Sequence, residues 1–104
     1  MTLTVGVDVG GTSVRAGVVD GDGTVLDIAR TPTPGSETAL ESAVAGVVET
    51  LAGRHRIAAV GLALAGFITP DLRVVRFAPH LSWRDAPVAD RIADRIGLPV
   101  VVEH

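Results

Sequence analysis

Residues 3–19 read LTVGVDVGGTSVRAGVV, and this segment sets the architecture of the chain. Apolar residues alternate with Gly6 and Asp8 before the Gly10-Gly11 pair, and the alternation resumes after Thr12. A period of two residues is typical of a β-strand with one buried face. The segment therefore predicts two strands joined by a tight, glycine-containing turn.

A third strand and then a helix follow this hairpin. The sequence Asp-Gly-Asp-Gly at 20–23 consists of residues that turns favour, and the β-favouring run 24–31 completes an antiparallel meander. From Ser36 onward the apolar residues recur at helical spacing, and Thr38 with Glu41 offers a capping box. We therefore expect three strands before the first helix.

The second half of the chain adds a strand, an excursion, a helix and a last strand. Ile57–Leu64 is an almost unbroken apolar run, which is typical of a strand covered on both faces. Residues 71–83 form an excursion that includes a short hairpin. Asp85 is expected to cap a second helix that ends at Gly97, and residues 100–102 form the last strand.

The element order β-β-β-α-β-α-β predicts one α/β domain over residues 1–104, with a mixed five-stranded sheet and flanking helices. The amino-acid composition excludes several kinds of catalytic and nucleotide-binding site. The chain has a formal net charge of −3 and no cysteine, and all nine of its Lys+Arg residues are arginine. The absence of lysine excludes a Walker A lysine, a protein-kinase strand lysine and a Schiff-base lysine.

The remaining composition bears on compartment and partners. Without cysteine there are no disulfides and no thiolate metal ligands, which favours the cytoplasm. No apolar run reaches the length of a membrane span, and the negative charge offers no basic patch for nucleic acid. We therefore expect small-molecule partners, with no membrane and no nucleic acid.

The segment from Asp8 to Thr12 is the strongest candidate for a binding site. Adjacent glycines let backbone amides approach an anion without obstruction by a Cβ atom, and phosphate is the natural anion. Asp8 at the strand end can hold a hydrated magnesium ion, and the Thr12 hydroxyl can donate to a phosphate oxygen. The alternative is a tight hairpin whose glycines serve only its geometry, and residue spacing leaves both interpretations open.

Gly66, Trp83 and His55 each allow a prediction of their own. The loop after the strand 57–64 suits a ligand because open α/β sheets bind ligands beyond the carboxyl ends of their strands, although Gly66 can equally serve only to turn the chain. Trp83, the only tryptophan, either anchors its loop or stacks on a sugar ring. His55, between two arginines at a helix end, is expected to be solvated.

Four segments together resemble the ROK sugar kinases, particularly the bacterial glucokinase branch within the actin-like ATPase superfamily. Residues 7–12 resemble the family's first phosphate motif, and residues 61–66 its sugar-side loop. Residues 78–83 resemble the segment before its second helix, and residues 99–104 the strand that leads into its catalytic aspartate. The resemblance implies the N-terminal lobe of a ribonuclease H-like or actin-like ATPase fold, with the C-terminal lobe absent.

The resemblance also implies an activity, the ATP-dependent transfer of the γ-phosphoryl group to a hexose, with glucose as the first choice and Mg²⁺ as cofactor. On the matching positions, Asp8 would support Mg²⁺ through water. The ATP phosphates would be bound by Gly10, Gly11, Thr12 and Ser13. The sugar would lie near Ala65, Gly66, His80 and His104.

Two positions depart from the family's pattern. The family usually has asparagine where His104 stands, which leaves the identity of the hexose open, and many relatives have lysine at the position of Ser13. The catalytic aspartate is expected directly after His104, so no catalytic residue is assigned within the chain. We therefore expect the 104 residues alone to be inactive and to belong to a longer kinase, for which a homo-oligomer is compatible with the resemblance.

Two other functions stay open beside the kinase. A transcriptional repressor of the same family would carry a helix-turn-helix before its first strand, and a first strand close to Met1 with a negative net charge argues against it. A non-catalytic sugar-binding regulatory protein would lack the aspartate altogether.

Overall fold

The computed structural model describes residues 2–65, 67–68, 74–78 and 81–103. The strands are β1 (Leu3–Val9), β2 (Ser13–Val19), β3 (Val25–Pro32), β4 (Ile57–Leu64), β5 (Phe67–Ile68), β6 (Val75–Phe77), β7 (Arg84–Ala86) and β8 (Val100–Glu103). The helices are α1 (Glu37–Ala52) and α2 (Val88–Ile96). Neither helix is long and apolar enough to cross a bilayer, as far as the described residues extend.

Five strands form one mixed sheet in the order β3-β2-β1-β4-β8. β2 pairs antiparallel with both β1 and β3, whereas β4 pairs parallel with both β1 and β8. The predicted α/β fold with a mixed five-stranded sheet is therefore confirmed. A second, three-stranded antiparallel sheet has the order β5-β6-β7, where the sequence predicted only a short hairpin.

The two helices lie on the same face of the five-stranded sheet. On β1, Val5, Val7 and Val9 are at most 3% exposed and belong to the core that the helices complete. Alternation along the strand sends Gly6 and Asp8 to the opposite face, where both are exposed. We call this opposite side of the five-stranded sheet the open face.

β4 corrects one prediction from the sequence. Its apolar run indicated burial on both faces, yet the buried residues are only Ile57, Val60, Leu62 and Leu64. Ala63 is exposed, and Gly61 is half-buried. The apolar run shows that both faces of β4 carry apolar or small side chains. It does not show whether another element of the described structure packs on the second face.

The helix ends differ from the predicted caps in two places. Ser36, rather than Thr38, caps α1, because its hydroxyl accepts a hydrogen bond of 3.2 Å from the Ala39 amide. Asp85 does not cap α2 because it lies in β7, where pairing with β6 occupies residues 84–86, and α2 begins only after Pro87. Gly97 ends α2 in the left-handed conformation, with φ 72°, as expected of a helix C-terminus.

His55 is half-buried against β3, whereas the sequence predicted a solvated side chain. Its Nε2 is 3.0 Å from Oδ2 of Asp27, and the Arg54 guanidinium donates to the same oxygen at 3.1 Å. The hydrogen bond with His55, and then the one from Arg54, lower the pKa of Asp27. These contacts tie the end of α1 to the edge strand of the sheet.

Candidate functional site

The glycine turn between β1 and β2 is closed by its own backbone. The Gly10 amide donates to the Ser13 carbonyl oxygen at 2.9 Å. A Cβ atom on Gly10 would lie 3.1 Å from that same oxygen, which is closer than ordinary contact. The close approach of the two backbones therefore favours glycine at position 10.

Thr33, which the sequence analysis did not single out, fixes the turn from the end of β3. Its hydroxyl donates to the Gly10 carbonyl oxygen at 2.6 Å, and its amide donates to the Thr12 carbonyl oxygen at 3.0 Å. No cis peptide bond occurs among the described residues, and in a trans peptide the C=O and N–H point in opposite directions. The amides of Gly11 and Ser13 are therefore directed away from Thr33.

This arrangement suits an anion. Two carbonyl oxygens, the negative ends of their peptide groups, are occupied by Thr33, whereas the amides of the same peptides are turned the other way. Backbone amides in a turn can form a concavity that binds anions. Gly11 and Thr12 are exposed, so an anion can reach the turn from solvent.

Asp8 stands directly before the turn, on the open face. Its cross-strand partner on β2 is Arg15, and the partner of Arg15 on β3 is Arg30, so one carboxylate and two guanidinium groups share a row. All three residues are exposed. Arginine binds phosphate through a planar fork of donors, and the sequence analysis assigned neither arginine to the site.

The residues present fit a magnesium ion that takes most of its coordinating oxygens from water and from a bound phosphate. Mg²⁺ is usually bound through one or two carboxylates, together with water and substrate phosphates, rather than by an all-protein cage. Asp8 supplies one exposed carboxylate next to the glycine turn. No group of three or more His, Asp or Glu side chains that could hold a metal occurs in the part of the chain that the structure describes.

The carboxyl ends of the parallel strands meet at the edge of the sheet that carries the turn. Val9 of β1 pairs with Leu64 of β4, and Ala63 pairs with Glu103 of β8. Ala65 is exposed and follows β4 directly, so it lies beside the glycine turn. The other predicted sugar-binding positions, Gly66, His80 and His104, lie outside the described residues.

Arg84 and Trp83 hold the segment that precedes α2. Nη1 of Arg84 donates to the carbonyl oxygens of Ala78, Leu81 and Trp83 at 3.3, 2.8 and 2.7 Å. Trp83 is completely buried, so it anchors its loop and does not present its ring for stacking on a sugar. Arg84 was missed because no local pattern in the sequence indicates that its guanidinium binds the carbonyl oxygens of Ala78, Leu81 and Trp83.

Comparison with known proteins places this geometry in a family. The sequence profile of the ROK family matches residues 4–104. A glucokinase of Streptomyces coelicolor is 44% identical over 104 residues, which are 100% of this chain and 33% of that protein. A transcriptional regulator of Mycobacterium tuberculosis is 35% identical, over 96% of this chain and 24% of that protein.

Comparison with solved structures gives the same family. A ROK family glucokinase of Streptomyces griseus in complex with glucose and AMPPNP superposes with a TM-score of 0.94 and 40% identity, over 98% of this chain and 33% of that one. The chain thus spans about a third of the length of the relatives it matches. With the family profile covering all but its first three residues, the chain belongs to the ROK family.

Proposed function

We propose that the chain is the N-terminal part of an ATP-dependent hexose kinase that phosphorylates glucose. The observation that carries this proposal is the turn at residues 10–13, whose Gly11 and Ser13 amides are directed away from the Thr33 clamp. Phosphoryl transfer depends chiefly on positioning and on neutralisation of phosphate charge, which such a turn can provide. The 44% identity to a glucokinase supports glucose as the substrate.

The proposed roles follow from these positions. The ATP phosphates would be held by Gly10, Gly11, Thr12 and Ser13. The hexose would be bound by Ala65, Gly66, His80 and His104. Asp8 would hold Mg²⁺ through water, and the bound ion would supply neutralisation of the phosphate charge.

The 104 residues would bind phosphate but would not turn over ATP by themselves. They span about a third of the length of the matched glucokinase, and a γ-phosphoryl transfer also needs a base for the sugar hydroxyl and a site for the adenosine. The use of ATP and the absence of cysteine are consistent with a cytoplasmic protein.

The test is ADP release by the longer gene product that carries this chain, with Mg²⁺ and a panel of glucose, mannose, fructose and N-acetylated hexosamines. The 104-residue chain at equal concentration is the matched control, and Asp8→Asn in the longer protein reports on the proposed ion site. Glucose-dependent ADP release by the longer protein, reduced by Asp8→Asn and absent from the short chain, is the expected result.

A sugar-responsive regulator is the second candidate, because a transcriptional regulator is 35% identical over nearly the whole chain. Calorimetry with the same hexoses separates the two functions. If the longer protein binds a sugar but releases no ADP in the presence of any hexose, the regulator is favoured. The glycine turn would then be a structural element only. A longer protein that neither binds a hexose nor releases ADP would contradict both.

A further inference from the structure

Two arginines lie opposite each other on the open face of the five-stranded sheet. Arg15 of β2 pairs directly with Arg30 of β3, the edge strand, and both residues are exposed. Val14 and Ala16, the neighbours of Arg15 along its strand, are buried in the core, so alternation sends Arg15 to the other side. Directly paired residues share one face of a sheet, so Arg30 projects to the same side. We call these two residues the arginine pair.

The pairing of two arginines is unfavourable for the sheet by itself. Like charges directly opposite each other on neighbouring strands destabilise the sheet. Arg54, Arg91 and Arg95 each contact a carboxylate. Neither member of the arginine pair has a hydrogen-bond or ion-pair partner in the part of the chain that the structure describes. An anion bound between the two guanidinium groups would remove the repulsion.

The arginine pair lies next to the proposed phosphate turn. On its other side Arg15 pairs with Asp8 of β1, and these two residues line the same cavity of about 400 Å³ on the open face. Ser13, the last residue of the glycine turn, is two residues from Arg15 along β2, which corresponds to about 7 Å. An arginine side chain is long enough to extend over such a distance. One bound ligand can therefore contact both the turn and a guanidinium group.

Charge and chemistry select linked phosphates as the ligand. The sequence has no lysine, so arginine must supply any long cationic side chain, and its planar fork of donors fits phosphate oxygens. The row of Asp8, Arg15 and Arg30 carries more positive than negative charge. A single phosphate occupies either the turn or the arginine pair, because the two lie about 7 Å apart along β2. A chain of phosphates reaches both.

We propose that the arginine pair extends the phosphate site beyond the glycine turn, so that the chain binds linked phosphates, such as those of a nucleoside triphosphate, more tightly than a single phosphate. Arg15, which lies nearer the turn, contributes more than Arg30, which lies on the edge strand. The inference rests on the proposed function, because it takes the phosphates of ATP as the natural ligand. It adds two arginines to the residues that bind the phosphoryl donor.

The first test measures anion binding by the 104-residue chain, without nucleotide or sugar. Calorimetry in the presence of Mg²⁺ compares inorganic tripolyphosphate with orthophosphate for the wild type, Arg15→Gln and Arg30→Gln. Arg56→Gln is the matched control, because it removes one exposed arginine directly before β4, at the opposite end of the sheet from the glycine turn.

The wild type is expected to bind tripolyphosphate more tightly than orthophosphate. Arg15→Gln should weaken tripolyphosphate binding about tenfold, which is the effect of losing one hydrogen-bonded contact between charged groups. Arg30→Gln should weaken it by a smaller factor, and Arg56→Gln should leave it unchanged. Equal affinity of the wild type for the two anions, equal losses in all three variants, or full affinity in Arg15→Gln would each overturn the proposal.

The second test measures the melting temperatures of the wild type and Arg30→Gln at low salt. Without phosphate, Arg30→Gln should melt no lower than the wild type, because it removes a like-charge pair. At equal concentrations of tripolyphosphate the wild type should gain more, because stabilisation by a ligand increases with its affinity for the folded state. A wild type that melts higher without the anion and gains no more with it would show that the arginine pair supports the sheet alone, and would overturn the proposal.

The third test uses the longer gene product and separates this inference from the proposed function. Arg15→Gln should raise KM for ATP about tenfold and leave KM for the hexose unchanged. Arg15→Lys, which keeps the charge but not the planar fork, should recover only part of the loss. An active kinase whose KM for ATP is unchanged in Arg15→Gln would contradict this inference alone.

The opposite result is also distinguishable. A longer protein that releases no ADP, while the short chain binds tripolyphosphate through the arginine pair, would contradict the proposed kinase activity and support the extended phosphate site. If the short chain does not fold, the KM values of the longer protein decide the question.

Discussion

The hydroxyl of Thr33 lies 2.6 Å from the carbonyl oxygen of Gly10, and this hydrogen bond joins the end of β3 to the turn between β1 and β2. The two residues are 23 positions apart in the chain, so the contact exists only because the antiparallel meander brings them together. It orients the peptide that carries the Gly11 amide. The geometry of the proposed phosphate site therefore depends on a residue outside the glycine motif.

Thr33→Val is expected to lower the free energy of unfolding by about 0.5–1.5 kcal/mol, because it removes this hydrogen bond while keeping the shape of the side chain. Urea unfolding of the 104-residue chain measures the effect. Thr38→Val, on the exposed side of α1, is the matched control and should change it much less. In the longer protein we expect Thr33→Val to raise KM for ATP without changing KM for the hexose; an unchanged KM for ATP would contradict the role of Thr33 at the phosphate site.

Gly10→Ala is expected to destabilise the chain by about 1–3 kcal/mol, because the new Cβ would force the Ser13 carbonyl away and strain the turn. Gly21→Ala is the control, since a Cβ there meets nothing within 4 Å. Its effect should stay within about 0.5 kcal/mol, as for other surface substitutions. Equal urea midpoints for the two variants would show that the close contact at Gly10 is relieved at no cost.

Asp27 should contribute to the acid sensitivity of the chain. The hydrogen bonds from His55 and Arg54 hold the pKa of Asp27 below its ordinary value, so its contribution to stability is present above about pH 4 and is lost as pH falls through the lowered pKa. Asp27→Asn should therefore be less stable than the wild type near neutral pH and should lose less stability on acidification.

Urea unfolding between pH 2.5 and pH 7 measures this difference for Asp27→Asn. Asp94→Asn, which changes an exposed aspartate on α2, is the matched control and should retain the acid-dependent loss that Asp27 causes. If the wild type and Asp27→Asn lose stability in parallel as pH falls, the contacts with His55 and Arg54 do not act in solution.

Arg84→Met should loosen the backbone at Ala78, Leu81 and Trp83, because their three carbonyl oxygens lose the guanidinium that joins them. Trp83 is the only tryptophan and is completely buried, so its fluorescence reports on this loop directly. We expect a red shift of the emission and faster proteolysis within the loop. Arg56→Met, at an exposed arginine, is the control, and an emission spectrum identical to the wild type for Arg84→Met would contradict the role assigned to Arg84.

Local patterns predicted a large part of this protein from its sequence. Strict alternation along residues 3–19, with turn residues at 20–23, predicted the meander of β1, β2 and β3, because a period of two and a turn need only neighbouring residues. The helical spacing after Ser36 predicted α1 in the same way. The glycine motif at residues 8–12 likewise predicted the candidate phosphate turn, because the adjacent glycines are a local signal.

Contacts between distant residues depended on the tertiary structure. The clamp from Thr33 to Gly10 and the pairing of His55 with Asp27 join positions 23 and 28 residues apart, and no local pattern contains them. The alignment of Gly6 with Gly17 and Gly61 likewise follows from the register of three strands, two of which meet only after α1 has crossed the sheet. The sequence by itself determined the five strands of the larger sheet and the positions of the two helices, because those choices are local; the tertiary structure decided which of them touch and added strands β5 and β7, because register and packing are set by whole sheets.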